Sequence, residues 1–214
     1  MNKLPVSYQP RNNDYNGCDQ PFIVLEGVSG IGKSTLATLL THQLKATSLH
    51  TLPRPHTDWA KDVNTRLAPL PQLCFYLSGL LYASDRVRTS RAVSPVIADR
   101  YTSSVLACHA AVHNIAVDQV RQLADPFLPY LVQPTHTFYL HCSEETLRAR
   151  MRTKRDLKQD DTDLFKVDGR LKQLLDNFRA TAADDPSAVW IDTEGKTPDQ
   201  LVHEIVQSLE RIRA

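Results

Sequence analysis

Phe22-Ile23-Val24-Leu25-Glu26-Gly27-Val28-Ser29-Gly30-Ile31-Gly32-Lys33-Ser34-Thr35 decides the fold class of this chain. Phe22 to Leu25 form a continuous apolar run, the pattern of a strand covered on both faces. From Gly27 to Ser34 the chain fits G-x-x-x-x-G-K-[ST], and Leu36, Leu39, Leu40 and Leu44 follow at helical spacing. Strand, glycine loop and helix in that order make a phosphate cradle. Glycines let successive backbone N–H groups turn inward, and the opening helix adds its positive end. Lys33 neutralises the outer phosphates, and the Ser34 hydroxyl is suited to magnesium. Gly27, Val28, Ser29, Gly30, Ile31, Gly32, Lys33, Ser34 and Thr35 are therefore the candidate nucleotide-binding residues, with Ser34 the candidate metal ligand. A chance glycine-rich turn would not be expected between a buried strand and an apolar-periodic helix.

The rest of the chain repeats the alternation. Ser48–Leu52 reads as a second strand stopped by Pro53-Arg54-Pro55, Leu70–Arg91 as a long helix, and Val93–Ala98 as a third strand ending at Asp99-Arg100-Tyr101. Helices are expected over 102–113 and 116–125, a fourth strand over His136–His141, and a helix over Glu144–Arg155. A charged break over 156–163, a helix over 164–182, a strand at Val189–Ile191 and a last helix over 198–212 complete the series. Strands alternating with helices predict a parallel five-stranded sheet with helices on both faces. Ligands of such sheets sit beyond the carboxyl ends of the strands, which singles out Arg54, Asp99-Arg100 and His141.

Composition narrows the partners. The 214 residues carry 25 Lys+Arg against 24 Asp+Glu, a formal net charge of +1, so no global field draws the chain to nucleic acid or membrane. No apolar run reaches the roughly 20 residues of a membrane helix, and the amino terminus lacks a secretory apolar core. The expected location is cytoplasmic. Cys18, Cys74, Cys108 and Cys142 are scattered without metal or disulfide spacing. Residues 1–20, polar and rich in Asn and Pro, read as a flexible tail, leaving one domain over 21–214.

Leu25-Glu26-Gly27 before the loop, Leu80-Leu81-Tyr82-Ala83-Ser84-Asp85-Arg86 in the long helix, Asp99-Arg100-Tyr101 followed by Ser104 and Ala107, Phe138-Tyr139-Leu140, and the arginine-rich Leu147–Arg155 segment together resemble the thymidylate kinase family of P-loop nucleoside monophosphate kinases. The resemblance covers roughly residues 22–210. It implies the three-layer α/β P-loop kinase fold, ATP and Mg2+ as cofactors, and a lid over about 150–163. It implies that Tyr82 stacks on a pyrimidine, that Arg86 reaches the base or its phosphate, that Asp99 lies near the magnesium, and that Arg100 clamps the acceptor phosphate. Arg54 resembles the arginine at the end of the family's second strand, and Ser104 and His109 complete the substrate-facing set. Arg150, Arg152 and Arg155 resemble lid arginines closing over the ATP phosphates, with Arg152 acting in the transfer itself. Arginine suits these tasks because its rigid fork meets two phosphate oxygens and stays charged.

Simpler roles stand beside several of these. Tyr82 also fits an ordinary core aromatic, Arg86 a surface ion pair, and the arginines of 148–155 a solvated helix face in which Glu144 and Arg148 pair at i,i+4. His141 and His109 also fit structural histidines. The acceptor side departs from the family: Ser29 stands where an acid is usual, Arg54-Pro55-His56 replaces Arg-Glu-Pro-Gly, the span from Arg86 to Asp99 is short, Cys108-His109 replaces an aromatic-Gln pair, and strand four ends in His141-Cys142. The first functional reading is ATP-dependent phosphorylation of dTMP to dTDP. The alternatives are a kinase of a nucleoside or nucleoside-like small molecule, and a P-loop module that binds nucleotide without transfer. The long helix 70–91 leaves a surface on which a homodimer could form.

Overall fold

A computed structural model of the protein describes residues 20–153 and 159–211. Five parallel strands, β1 (Phe22–Glu26), β2 (Thr47–His50), β3 (Val96–Asp99), β4 (His136–His141) and β5 (Ala188–Asp192), lie in the order β2-β3-β1-β4-β5. The helices are α1 (Lys33–Leu44), α2 (His56–Arg66), α3 (Pro69–Arg91), α4 (Thr102–His113), α5 (Val117–Ala124), α6 (Glu144–Thr153), α7 (Gln159–Lys166), α8 (Arg170–Ala183) and α9 (Pro198–Arg211), with a 3-10 turn at Leu128–Tyr130.

All five residues of β1 are buried, as a central parallel strand requires. Alternate side chains then divide the core. Ile23 and Leu25 join Leu36, Leu40 and Ile205 of α1 and α9, whereas Phe22 and Val24 join Leu73, Leu80, Val105 and Leu106 of α3 and α4. The chain passes from β1 outward to β2, returns through β3, and then crosses β1 to reach β4. That reversal opens a crevice at the carboxyl end of β1, where a ligand can enter between loops. The register sets Leu25 opposite Asp99 and Glu26 opposite Tyr139. Among the described residues no helix is long and apolar enough to cross a membrane.

Several boundaries differ from the sequence reading: strand β2, expected over Ser48–Leu52, runs from Thr47 to His50, and others differ for local reasons. Strand β3 starts at Val96, because the N–H groups of Val93 and Ser94 turn back to Ser90 O and Pro95 has none to give. Residues 159–166, expected within a charged break and a following helix, form α7; Leu164 is buried in the core, with Phe165 packed against it, and the two anchor a segment that begins polar. Gly169, at φ 71°, then separates α7 from α8. Helix α2 had no counterpart in the sequence reading. Only Val63 of its residues is buried, so it shows too narrow an apolar stripe to be recognised. Residues 1–19, including Cys18, residues 154–158 and residues 212–214 lie outside the described residues. Gln20, assigned to the tail, is held by Arg91, whose Nε donates to Gln20 O at 2.6 Å.

Candidate active site

The loop after β1 closes back on the sheet. Gly27 has φ 134°, and a Cβ there would stand 2.7 Å from Leu140 O on β4, so only glycine lets the loop leave the strand this way. Lys33 opens α1, and its buried Nζ donates to Gly27 O at 2.9 Å and Val28 O at 2.7 Å. Burial pushes the Lys33 ammonium down to about 7; Arg100 pushes the same way, while Asp99 and Glu26 oppose it. Ser34 Oγ donates to Asp99 Oδ2 at 2.5 Å, and Asp99 Oδ1 is buried without a hydrogen-bond partner. The loop and the end of β3 are thereby joined at a single carboxylate with a spare oxygen.

Arg100 follows in a left-handed conformation, φ 75°, which a bulky residue adopts only under constraint. Its N–H donates to Leu25 O at 3.0 Å, and its Nη1 donates to Ser104 Oγ at 3.3 Å. Glu26, fully buried, accepts on Oε1 from the N–H groups of Tyr101 (2.8 Å) and Ser104 (3.1 Å), and on Oε2 from the Ser104 hydroxyl. No side chain of α4 caps that helix, so Glu26 caps it from the neighbouring strand. Burial raises the Glu26 carboxyl, while Ser104, Tyr101 and Arg100 pull it down. Thr51, just past β2, donates to Asp99 O at 3.2 Å.

The substrate-facing candidates divide. Tyr82 is 41% exposed on α3, beside an aromatic group that sequence reasoning missed: ring centroids of His56 and Phe75 lie 5.1 Å apart, and those of His56 and Tyr82 lie 6.2 Å apart. His56 Nε2 lies 3.1 Å from Ser78 Oγ, and Gly79 admits the ring, since a Cβ there would meet Leu52 Cδ2 and stand 3.3 Å from His56 Cδ2. Arg86 is exposed, and Asp85 beside it pairs instead with Arg88 at 2.8 Å. His109 is buried against His113, centroids 4.5 Å apart; burial, reinforced by His113, lowers it to about 4, so it stays neutral near pH 7. Ser104 is buried too, its hydroxyl engaged by Glu26 and Arg100. Arg54, expected at the acceptor, has an 85% exposed side chain and pairs with Asp58 at 3.4 Å, apart from the group around Asp99.

The lid arginines also divide. Arg150 Nη1 donates to Ile31 O (3.2 Å) and Thr193 Oγ1 (2.9 Å), and Nη2 to Thr193 O (2.8 Å). Its guanidinium therefore ties the phosphate loop to the segment after β5. Arg148 pairs with Glu144 at 2.7 Å and lies over the Phe165 ring at 4.6 Å. Arg152 is exposed, and Arg155 lies outside the described residues. His141 lies 3.9 Å from Asp192 at the carboxyl ends of β4 and β5, with its ring against Trp190. Among the described residues no cluster of three or more His, Cys, Asp or Glu could by itself hold a metal ion. Ser34 and the spare Asp99 oxygen fit Mg2+, which takes one or two protein oxygens and fills its remaining positions with water and phosphate.

Known proteins are similar to this chain in sequence and in fold. A sequence profile of the thymidylate kinase family matches residues 25–205. A probable thymidylate kinase of Methanocaldococcus jannaschii is 26% identical, over 91% of this chain and 98% of its own. A thymidylate kinase of Synechococcus sp. (strain JA-2-3B'a(2-13)) is 28% identical, over 78% and 84%. Among solved structures, Candida albicans thymidylate kinase superposes with a TM-score of 0.74 at 18% identity, over 91% of this chain and 93% of that one. The Ehrlichia chaffeensis enzyme gives 0.62 at 18% identity, over 89% and 99%. These two share the fold. With its phosphate loop, parallel sheet and most of its length matched to one profile, the chain belongs to the thymidylate kinase family.

Proposed function

We propose that the protein is a dTMP kinase, moving the γ-phosphoryl group of ATP to the phosphate of dTMP to give dTDP and ADP. The observation that supports this most directly is the junction of the two sides of the site. Ser34 of the phosphate loop is bonded to Asp99, and Arg100, the next residue, is bonded to β1 just before that loop begins. A donor phosphate on the loop and an acceptor phosphate at Arg100 would face one another across Asp99.

In this reading Gly27–Thr35 wraps the triphosphate with backbone N–H groups, and Lys33 exchanges its two loop carbonyls for phosphate oxygens. Bound at Ser34 and Asp99, Mg2+ would neutralise charge on the phosphate oxygens. Arg100 holds the acceptor phosphate, and Arg152 approaches from the lid. Arg150, fixed edge-on by three hydrogen bonds, leaves its flat faces for the purine of ATP. Tyr82 stacks on the pyrimidine, with Arg86 and the neutral His109 as its polar contacts. Holding reactants in line and neutralising dispersed charge accounts for most phosphoryl-transfer catalysis.

The exposed position of Arg54 favours a second reading, in which the acceptor is a nucleoside that needs no second phosphate clamp. ADP release with ATP and a panel of nucleotides and nucleosides separates the two. Fastest turnover with dTMP is expected; equal or faster turnover of thymidine would overturn the first reading, and turnover of neither would leave a nucleotide-binding module.

A further inference from the structure

The geometry points to Glu26 as a positioning residue for the acceptor clamp, acting on Arg100 through the hydroxyl of Ser104. The inference rests on the kinase reading and adds to it a residue that does not touch substrate.

Glu26 ends β1 one residue before the phosphate loop, and its two carboxylate oxygens do different things. Oε1 accepts the N–H groups of Tyr101 and Ser104, which fixes the start of α4. Together with the bond from Arg100 N to Leu25 O, this brackets the strained Arg100 backbone between two consecutive residues of β1. Oε2 accepts the Ser104 hydroxyl, and with its proton so committed the Ser104 oxygen is free to accept Arg100 Nη1 at 3.3 Å. The order of donors runs one way: guanidinium to hydroxyl to carboxylate. Oε2 at the buried end accepts, which sets the direction of the hydroxyl, and the hydroxyl sets the plane of the guanidinium.

A buried carboxylate that only capped α4 would need one oxygen. Here the second is spent on a side chain whose other partner is the acceptor arginine. Because β1 continues directly into Gly27, the clamp is referenced to the same strand as the donor cradle. A rigid fork held from behind binds phosphate with less loss of freedom than a loose one.

The test uses the full-length protein with Ser104→Ala, Ser104→Thr and Glu26→Gln. Ser104→Ala deletes the hydroxyl but leaves both backbone bonds to Oε1, so the fold stays intact even where Glu26→Gln does not yield folded protein. With ATP and dTMP, Ser104→Ala is expected to raise KM for dTMP about tenfold while KM for ATP stays within about twofold, the size expected for one charge-assisted hydrogen bond partly replaced by water. Ser104→Thr should restore the acceptor KM, and Glu26→Gln combined with Ser104→Ala should be no worse than the worse single variant. An unchanged acceptor KM in Ser104→Ala, or equal rises for ATP and dTMP, would overturn the relay. Absence of dTMP turnover in the unaltered protein counts against the kinase reading instead. The relay is then decided by the Arg100 Nη1–H resonance: a shift in Ser104→Ala that Ser104→Thr reverses supports it, and an unmoved resonance overturns it.

Discussion

Replacing Lys33 by methionine should destroy catalysis and at the same time stabilise the nucleotide-free protein, by an amount that depends on pH. The ammonium is buried on two loop carbonyls and loses its proton near pH 7, against 10.5 for an ordinary lysine. Between those values the unfolded chain binds more protons than the folded one, so stability of the unaltered protein rises with pH, by about 1.4 kcal/mol per unit. Below pH 7 the whole cost of burying the charge is present. Methionine keeps most of the stem and has nothing to ionise. The stability advantage of Lys33→Met should therefore be largest at and below pH 7, and should shrink by about 2 kcal/mol by pH 8.5. Loss of the two hydrogen bonds lowers the variant by a similar amount at both pH values and leaves this difference intact. Urea melts at about pH 6.5 and 8.5, followed by the fluorescence of Trp59 and Trp190, measure it directly. A gap that stays constant or widens toward high pH would refute the reasoning, and so would a kcat reduced by less than about tenfold.

Arg150→Met removes three hydrogen bonds, one to Ile31 of the phosphate loop and two to Thr193. It should raise KM for ATP about tenfold and lower stability by about 2 kcal/mol, with KM for dTMP little changed; steady-state kinetics and urea melts check both. Gly79→Ala adds a methyl where Leu52 and His56 already lie, so it should destabilise by about 1–2 kcal/mol although alanine is the better helix former. A more stable Gly79→Ala in the same melts would show that the β2–α2 connection is looser than its packing indicates. Arg54→Ala loses only an exposed ion pair and should leave KM for dTMP within about twofold; a tenfold rise would bring Arg54 back into the acceptor site.

Much of the fold is written in local pattern. The Phe22–Leu25 run, the glycine spacing and the leucines of α1 each carry a signal within a few residues, as does the 70–91 helix, observed from Pro69 to Arg91. The site is less legible because its contacts are distant in sequence. Glu26 meets Tyr101 and Ser104 more than 70 residues away, so a charge closing an apolar strand is the sole local hint of its role. Arg150 has the composition of a lid residue, and only the fold brings Thr193 and Ile31 to it. Arg54 is read from residue type and position after the strand, and only the fold shows that α2 begins at His56 and supplies Asp58 as its ion-pair partner. Helix α2 itself escaped notice because its exposed Trp59 and single buried Val63 give almost no periodicity.

The seating of Lys33 on Gly27 O and Val28 O bears on which anions the loop would favour. Any anion entering the cradle competes with an internal ligand already in place, so its first contact yields little net gain. Orthophosphate offers one such contact and a short reach. A polyphosphate tail offers several in succession along the loop, and once the lysine is drawn off its carbonyls the later contacts are won without further loss. On the kinase reading the loop should therefore favour longer phosphate chains over orthophosphate.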